Sequence, residues 1–165
     1  MANTDAQFER LAARVGRHLR KTGRVMATAE SCTGGWIAKT VTDIAGSSQW
    51  FIEGFVTYSD DSKVRRLGVP RAVLRKNGAV SEATVRAMAI GAVRKAKVQI
   101  AVAVTGIAGP GGATPGKPVG TVWFGWAVRR GGQIRVAARL KHFRGDRESV
   151  RRKTVQAALA GLLAR

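Results

Sequence analysis

The chain has one cysteine, Cys32, two histidines, His18 and His142, and one tyrosine, Tyr58, among its 165 residues. A single cysteine excludes an intrachain disulfide and a multi-thiolate zinc site, and the two histidines add little to metal binding. No metal or cofactor is expected, and a reducing, cytoplasmic setting fits best. Long apolar runs are absent. Nothing approaches the roughly 20 residues that span a bilayer, so no membrane role is expected. Residues 1–10 are polar and lack the apolar centre of a signal peptide. No repeat or low-complexity linker divides the chain, and residues 1–165 read as a single domain. Acid is scarce: 10 Asp and Glu stand against 29 Lys and Arg, a formal charge of +19. Such a field draws anions: nucleic acid, a membrane surface or a phosphorylated small molecule. A basic solvated face accounts for the same composition. The basic residues are spread along the sequence rather than gathered in a tail, which weighs against nucleic acid.

The pattern that is present alternates helix and strand. Phe8, Leu11, Ala12, Val15 and Leu19 mark one face of a helix over 5–22, closed by Gly23. Residues 24–29 read as a buried strand, 34–44 as a helix and 50–58 as a strand. Ser59 or Asp60 caps a helix to Leu67, with Gly68 and Pro70 as its stop. A short helix spans 70–76, and Ser81 caps a longer one to Lys95. The continuous apolar run 98–104 suits a strand covered on both faces. Residues 105–117 form a glycine-rich loop. Two strands, 119–128 and 134–143, flank Arg129-Arg130-Gly131-Gly132 as an antiparallel hairpin. Asp146 caps a last helix over 147–164. The expected fold class is α/β, a three-layer α/β/α sandwich on a mixed sheet. Trp36, Trp50, Trp123 and Trp126 read as core rather than as platforms for stacked bases.

Four segments carry chemistry. Thr28-Ala29-Glu30-Ser31-Cys32-Thr33-Gly34-Gly35 joins a strand to a helix. A hydroxyl there lies near unpaired backbone N–H groups and the positive end of the helix dipole, which suit a developing oxyanion. A plain helix start with Ser31 or Thr33 as its cap fits the same residues. Cys32 is read as a small buried residue rather than a nucleophile. Tyr58-Ser59-Asp60-Asp61-Ser62-Lys63 supplies a lysine that acts as a base if burial lowers its pKa, with Tyr58 relaying a proton or orienting it. A solvated helix lysine is the alternative. Neither histidine lies in a turn-rich segment, so a Ser-His-Asp triad is not expected. Thr105-Gly106-Ile107-Ala108-Gly109-Pro110-Gly111-Gly112 follows a buried strand, where α/β sheets bind ligands, and its N–H groups suit phosphate oxygens. It is neither a Walker loop nor GxGxxG. Phe143-Arg144-Gly145-Asp146-Arg147 sets two arginines at a helix start, suited to bidentate phosphate or carboxylate contacts.

Taken in order, these segments resemble the CinA C-terminal domain family. The resemblance is carried by Ala29-Glu30-Ser31-Cys32-Thr33-Gly34-Gly35, Tyr58-x4-Lys63 with Leu67-Gly68-Val69, Gly78-Ala79-Val80-Ser81, Val104 through Gly112, Lys117-Pro118-Val119-Gly120-Thr121-Val122 and Phe143 through Arg147, covering nearly the whole chain. It implies hydrolysis of the carboxamide of nicotinamide mononucleotide (NMN) to nicotinate mononucleotide and ammonia, a step in pyridine nucleotide salvage. It also implies a Ser/Lys mechanism, with Ser31 as nucleophile, Lys63 as base and Tyr58 assisting. Glu30, Thr33, Gly34, Gly35, Thr105, Gly106, Gly109, Gly111 and Arg144 are then expected at the substrate, and a homodimer is expected. Some family members carry an additional molybdopterin-binding-like domain; the chain resembles the standalone form. Family members commonly have Asn where this chain has Asp60, and a carboxylate there would raise the Lys63 pKa. Two other readings fit parts of the pattern: a nucleic-acid-associated protein linked to competence and DNA damage, and a module that holds a nucleotide without turning it over.

Overall fold

The structure is a computed structural model that describes residues 2–165, with side chains from Asp5 onward. Five strands form one sheet in the order β2-β1-β3-β4-β5. They are β1 (Met26–Glu30), β2 (Phe51–Val56), β3 (Ile100–Gly106), β4 (Thr121–Arg130) and β5 (Gln133–His142). The first three are mutually parallel, β4 runs antiparallel to them and β5 turns back antiparallel to β4, so the sheet is mixed as expected. The helices are α1 (Ala2–Lys21), α2 (Trp36–Thr42), α3 (Asp60–Leu67), α4 (Arg71–Asn77), α5 (Glu82–Lys95) and α6 (Arg147–Leu162). None is long and apolar enough to cross a membrane.

Strand periodicity splits the core in two. On β3, Ile100, Val102 and Val104 pack with α1, α2 and α6, while Ala101 and Ala103 face α5. Both faces are covered, which is why the run is apolar throughout. The side chains facing α5 are small, so that helix sits close to the sheet. A Cβ on Gly125 of β4 would stand only 2.9 Å from the Val85 main-chain oxygen. The result is the expected three-layer sandwich.

Strand ends shift from the sequence reading by about two residues. The hairpin pairs out to Arg130 and Gln133 and turns on Gly131 and Gly132, with φ of 52° and 82°. Positive φ at both positions is what a two-residue turn between twisted strands requires. Three caps form where the sequence put them: the side chains of Ser59, Ser81 and Asp146 accept from the N–H groups of Ser62, Thr84 and Ser149. The start of α2 differs. Its cap position is Gly35, in left-handed conformation with no side-chain cap. Neither Ser31 nor Thr33 caps it.

This topology positions the site. From β1 the chain crosses to β2 on one side, while β3 leads on to β4 on the other. The C-terminal ends of β1 and β3 thus flank a crevice where the strand order reverses, the usual ligand site of an open α/β sheet. Ser31 follows β1, and the loop from Ile107 follows β3.

Candidate active site

The turn after β1 is built on Glu30. Its side chain is fully buried and its two carboxylate oxygens accept from the Thr33 hydroxyl at 2.6 Å and from the N–H groups of Gly35, Ile37 and Ala38 at 3.2, 2.9 and 2.8 Å. Burial pushes its pKa up, against the pull of these donors. Every neighbour donates and none accepts, the arrangement an ionised carboxylate needs. Glu30 therefore satisfies the first N–H groups of α2 from the end of the preceding strand, leaving the Ser31 hydroxyl without capping duty. Glu30, expected at the substrate, has its carboxylate spent on the turn, and so has the Thr33 hydroxyl; the Thr33 main-chain N–H stays free. Gly34 and Gly35 also stay outside the cavity wall, with N–H groups bonded to the Ser31 carbonyl and to Glu30.

From outside, Arg151 of α6 holds the same turn. Its Nε donates to the Cys32 carbonyl at 3.1 Å and Nη2 to the Thr33 carbonyl at 2.9 Å, while its guanidinium lies over the Trp36 ring. The N–H groups of Cys32 and Thr33 make no hydrogen bond among the described residues, and Ser31 and Cys32 line the cavity. Cys32 is buried, and burial pushes its thiol up to about 12, which excludes a thiolate near neutral pH.

Lys63, on α3, is 1% exposed. Its Nζ stands 3.2 Å from Ser31 Oγ, 2.9 Å from the Thr57 carbonyl and 3.2 Å from the Tyr58 carbonyl. Burial lowers its pKa; Asp60 and Cys32 push the other way and lose. The adverse influence expected of Asp60 is thus present but outweighed, and the two form no salt bridge. In the neutral amine the two carbonyls take the two N–H donors, and the lone pair is left for Ser31 Oγ. Tyr58 meets the lysine through its carbonyl. Its phenol is exposed and accepts from Arg147 Nη2 at 3.1 Å, so no proton relay through the hydroxyl is built.

These groups open on a cavity of about 260 Å³, walled by Ser31, Lys63, Ala79, Val80 and the loop Thr105–Gly112. Thr105, Gly106, Gly109 and Gly111 line it, with the Thr105 hydroxyl committed to the Ala79 carbonyl at 2.9 Å. The N–H groups of Ala108, Gly109, Gly111 and Gly112 make no hydrogen bond among the described residues. Arg144 is corrected: it lies outside the cavity, exposed. Arg147, three residues on, lines it instead, with Nη1 on the Gly109 carbonyl at 2.8 Å. The capping residue Asp146 was the available signal, because the first residue after a cap begins a helix whose N-terminus faces the crevice.

The chain matches the CinA C-terminal domain over residues 8–165. It belongs to that family. It is 50% identical over 159 residues to the nicotinamide-nucleotide amidohydrolase PncC of Escherichia coli K12, covering 96% of this chain and 94% of that protein. It is 52% identical over 153 residues to the same-named protein of Pseudomonas putida, covering 93% of each. The crystal structure of the competence damage-inducible protein A from Klebsiella pneumoniae superposes with a TM-score of 0.89 at 41% identity over 96% of both chains. The family resemblance in the motifs therefore extends to the whole fold.

Proposed function

We propose that the chain is an amidohydrolase that converts NMN and water to nicotinate mononucleotide and ammonia. The observation that carries this reading is Lys63 Nζ at 3.2 Å from Ser31 Oγ, with carbonyls on the lysine's other two sides. The relatives named nicotinamide-nucleotide amidohydrolase supply the substrate class.

Neutral Lys63 takes the Ser31 proton as Oγ attacks the carboxamide carbon. The tetrahedral oxyanion is met by the N–H groups of Cys32 and Thr33. Lys63 returns the proton to the departing nitrogen, the C–N bond breaks and ammonia leaves a nicotinoyl ester on Ser31. Water then attacks the ester, giving its proton to Lys63, and collapse restores the Ser31 hydroxyl as nicotinate mononucleotide departs. Arg147 and the N–H groups of Ala108, Gly109, Gly111 and Gly112 hold the 5′-phosphate. Glu30 and Arg151 act as positioning residues. Arg151 donates to the carbonyl of the peptide whose N–H is Thr33's, so it orients and polarises one oxyanion donor.

The product re-enters pyridine nucleotide salvage in this reading, in the cytoplasm, and the family resemblance suggests a homodimer, which light scattering tests. The enzymatic test is direct. Purified protein releases ammonia from NMN, and Ser31→Ala stops the release while its circular dichroism stays that of the wild type. Full activity in Ser31→Ala removes the nucleophile assignment.

A further inference from the structure

The positive charge that is spread along the sequence is gathered in space. Residues 20–25, 94–100, 126–137 and 163–165 meet at the end of the sheet opposite Ser31: the ends of α1, α5 and α6, the starts of β1 and β3, and the hairpin tip. These segments hold no Asp or Glu, and Lys21, Lys97, Arg129, Arg130, Arg135 and Arg165 are among their basic residues. Among the described residues, none of these six takes part in a salt bridge. Arg24 is already engaged, donating to the Arg165 main-chain oxygen at 2.8 Å.

A cavity opens at this end. It measures about 470 Å³, larger than the one at Ser31, and lies between the β4–β5 hairpin and the residues that follow α6. Its volume is that of a small-molecule site. Trp126, Val128 and Val136 give it apolar walls, and Arg130, Arg135 and Arg165 stand at it. None of the three guanidinium groups donates a hydrogen bond among the described residues. Arg165 Nε is buried without a partner, and its guanidinium lies 5.3 Å from the Trp126 ring centre. A buried donor of this kind carries an unmet cost until an acceptor arrives. Three unengaged guanidinium groups suit several phosphate oxygens, because each presents a planar fork of donors. The apolar walls suit an uncharged ring beside them. Exposed aromatic side chains, the platforms of single-stranded nucleic-acid binding, are absent from these segments.

We propose that this cavity is a second ligand site, for a nucleoside oligophosphate, separate from the Ser31 crevice. The site needs nothing from the amide chemistry, so it stands or falls on its own measurement. Isothermal titration at about 0.15 M salt, with NMN saturating the first site, compares ATP, tripolyphosphate and adenosine as probes; the salt screens long-range attraction. ATP is expected to bind, with tripolyphosphate and adenosine each weaker by about tenfold or more. Arg130→Ala/Arg135→Ala should weaken ATP by about tenfold or more. Arg94→Ala/Lys95→Ala removes equal charge at the same end but outside the cavity, and should change affinity by no more than about twofold. Both pairs are exposed, and both variants should keep the wild-type rate of ammonia release. The proposal is overturned by no ATP binding, by displacement of ATP with NMN, by equal losses in the two double variants, or by tripolyphosphate binding as tightly as ATP. A single-stranded oligonucleotide that outcompetes ATP would equally overturn it and assign the surface to nucleic acid.

Discussion

Around the Ser31 turn, Lys63, Arg147 and Arg151 each donate to oxygens of the chain itself, whereas Arg130, Arg135 and Arg165 at the opposite cavity donate to none. The contrast separates two uses of positive charge. At the first end each basic group is fixed before a substrate arrives: Lys63 by two carbonyls, Arg151 by the carbonyls of Cys32 and Thr33, Arg147 by the Gly109 carbonyl and Tyr58. Chemistry gains from such preorganisation, because nothing has to move as charge develops. At the second end the donors are unspent, which suits an incoming anion that brings its own acceptors. The two ends also treat burial differently. Lys63 is a buried amine whose charged form is penalised, and that penalty suits it to the role of base in the proposed mechanism.

Substitutions at the first end should break the contrast most sharply. Ser31→Ala and Lys63→Met are each expected to lower kcat for ammonia release by about 10³-fold or more, because a nucleophile and its base act as a unit. The double variant should then be little worse than either single one, a non-additivity that steady-state kinetics reads directly. Arg147→Met is expected to raise KM for NMN by about 10- to 100-fold with a smaller change in kcat, since a phosphate contact is made equally in ground and transition states. Arg144→Ala, the residue displaced by that assignment, should leave both constants within about twofold.

Glu30→Gln should act on kcat rather than KM, by about tenfold, and lower stability by about 1–3 kcal/mol, as it sets an amide donor among donors. Thermal melts and kinetics on the same preparation separate the two effects. Lys63 offers a subtler check. Its pKa is lowered on folding, so the unfolded chain binds the extra proton between the folded value and about 10.4. Stability of the wild type therefore rises with pH across that window, and its contribution is most adverse below it. Denaturant titrations near pH 7 and near pH 9.5 should show the wild type gaining on Lys63→Met as pH rises; an unchanged difference would argue against a buried lysine with a lowered pKa.

The layers, the hairpin and the three side-chain caps were legible because each has a local cause: period-2 or period-3.6 apolar spacing, a Gly-Gly turn, or a hydroxyl or carboxylate before a helix. Ser31, Lys63 and the Thr105–Gly112 loop were legible as segments, through their resemblance to one family. The work of Glu30 was not. An acidic residue before a serine turn reads as a substrate contact until the fold sets β1 beside the first turn of α2 and the carboxylate closes on three N–H groups. Arg151, and the preference for Arg147 over Arg144, were hidden for a related reason. The partners of Arg147 and Arg151 lie at Gly109, Tyr58, Cys32 and Thr33, far away in sequence, and only the return of α6 beside α2 and β3 brings them together. Asp60 had its sign read correctly from sequence, but its size against burial depends on how deeply α3 sinks Lys63. The gathering of basic residues at the far end was likewise invisible, since it joins the ends of elements scattered from α1 to α6.

The central claim is that neutral Lys63 activates Ser31, and the pH dependence of kcat/KM for ammonia release from NMN tests it most directly. Between about pH 5 and pH 10 the wild type should rise through an ionisation lying below the value of about 10.4 for a free lysine, and Lys63→Met should lose that limb along with most of its rate. A flat wild-type profile, or the same limb retained in Lys63→Met, would contradict the account.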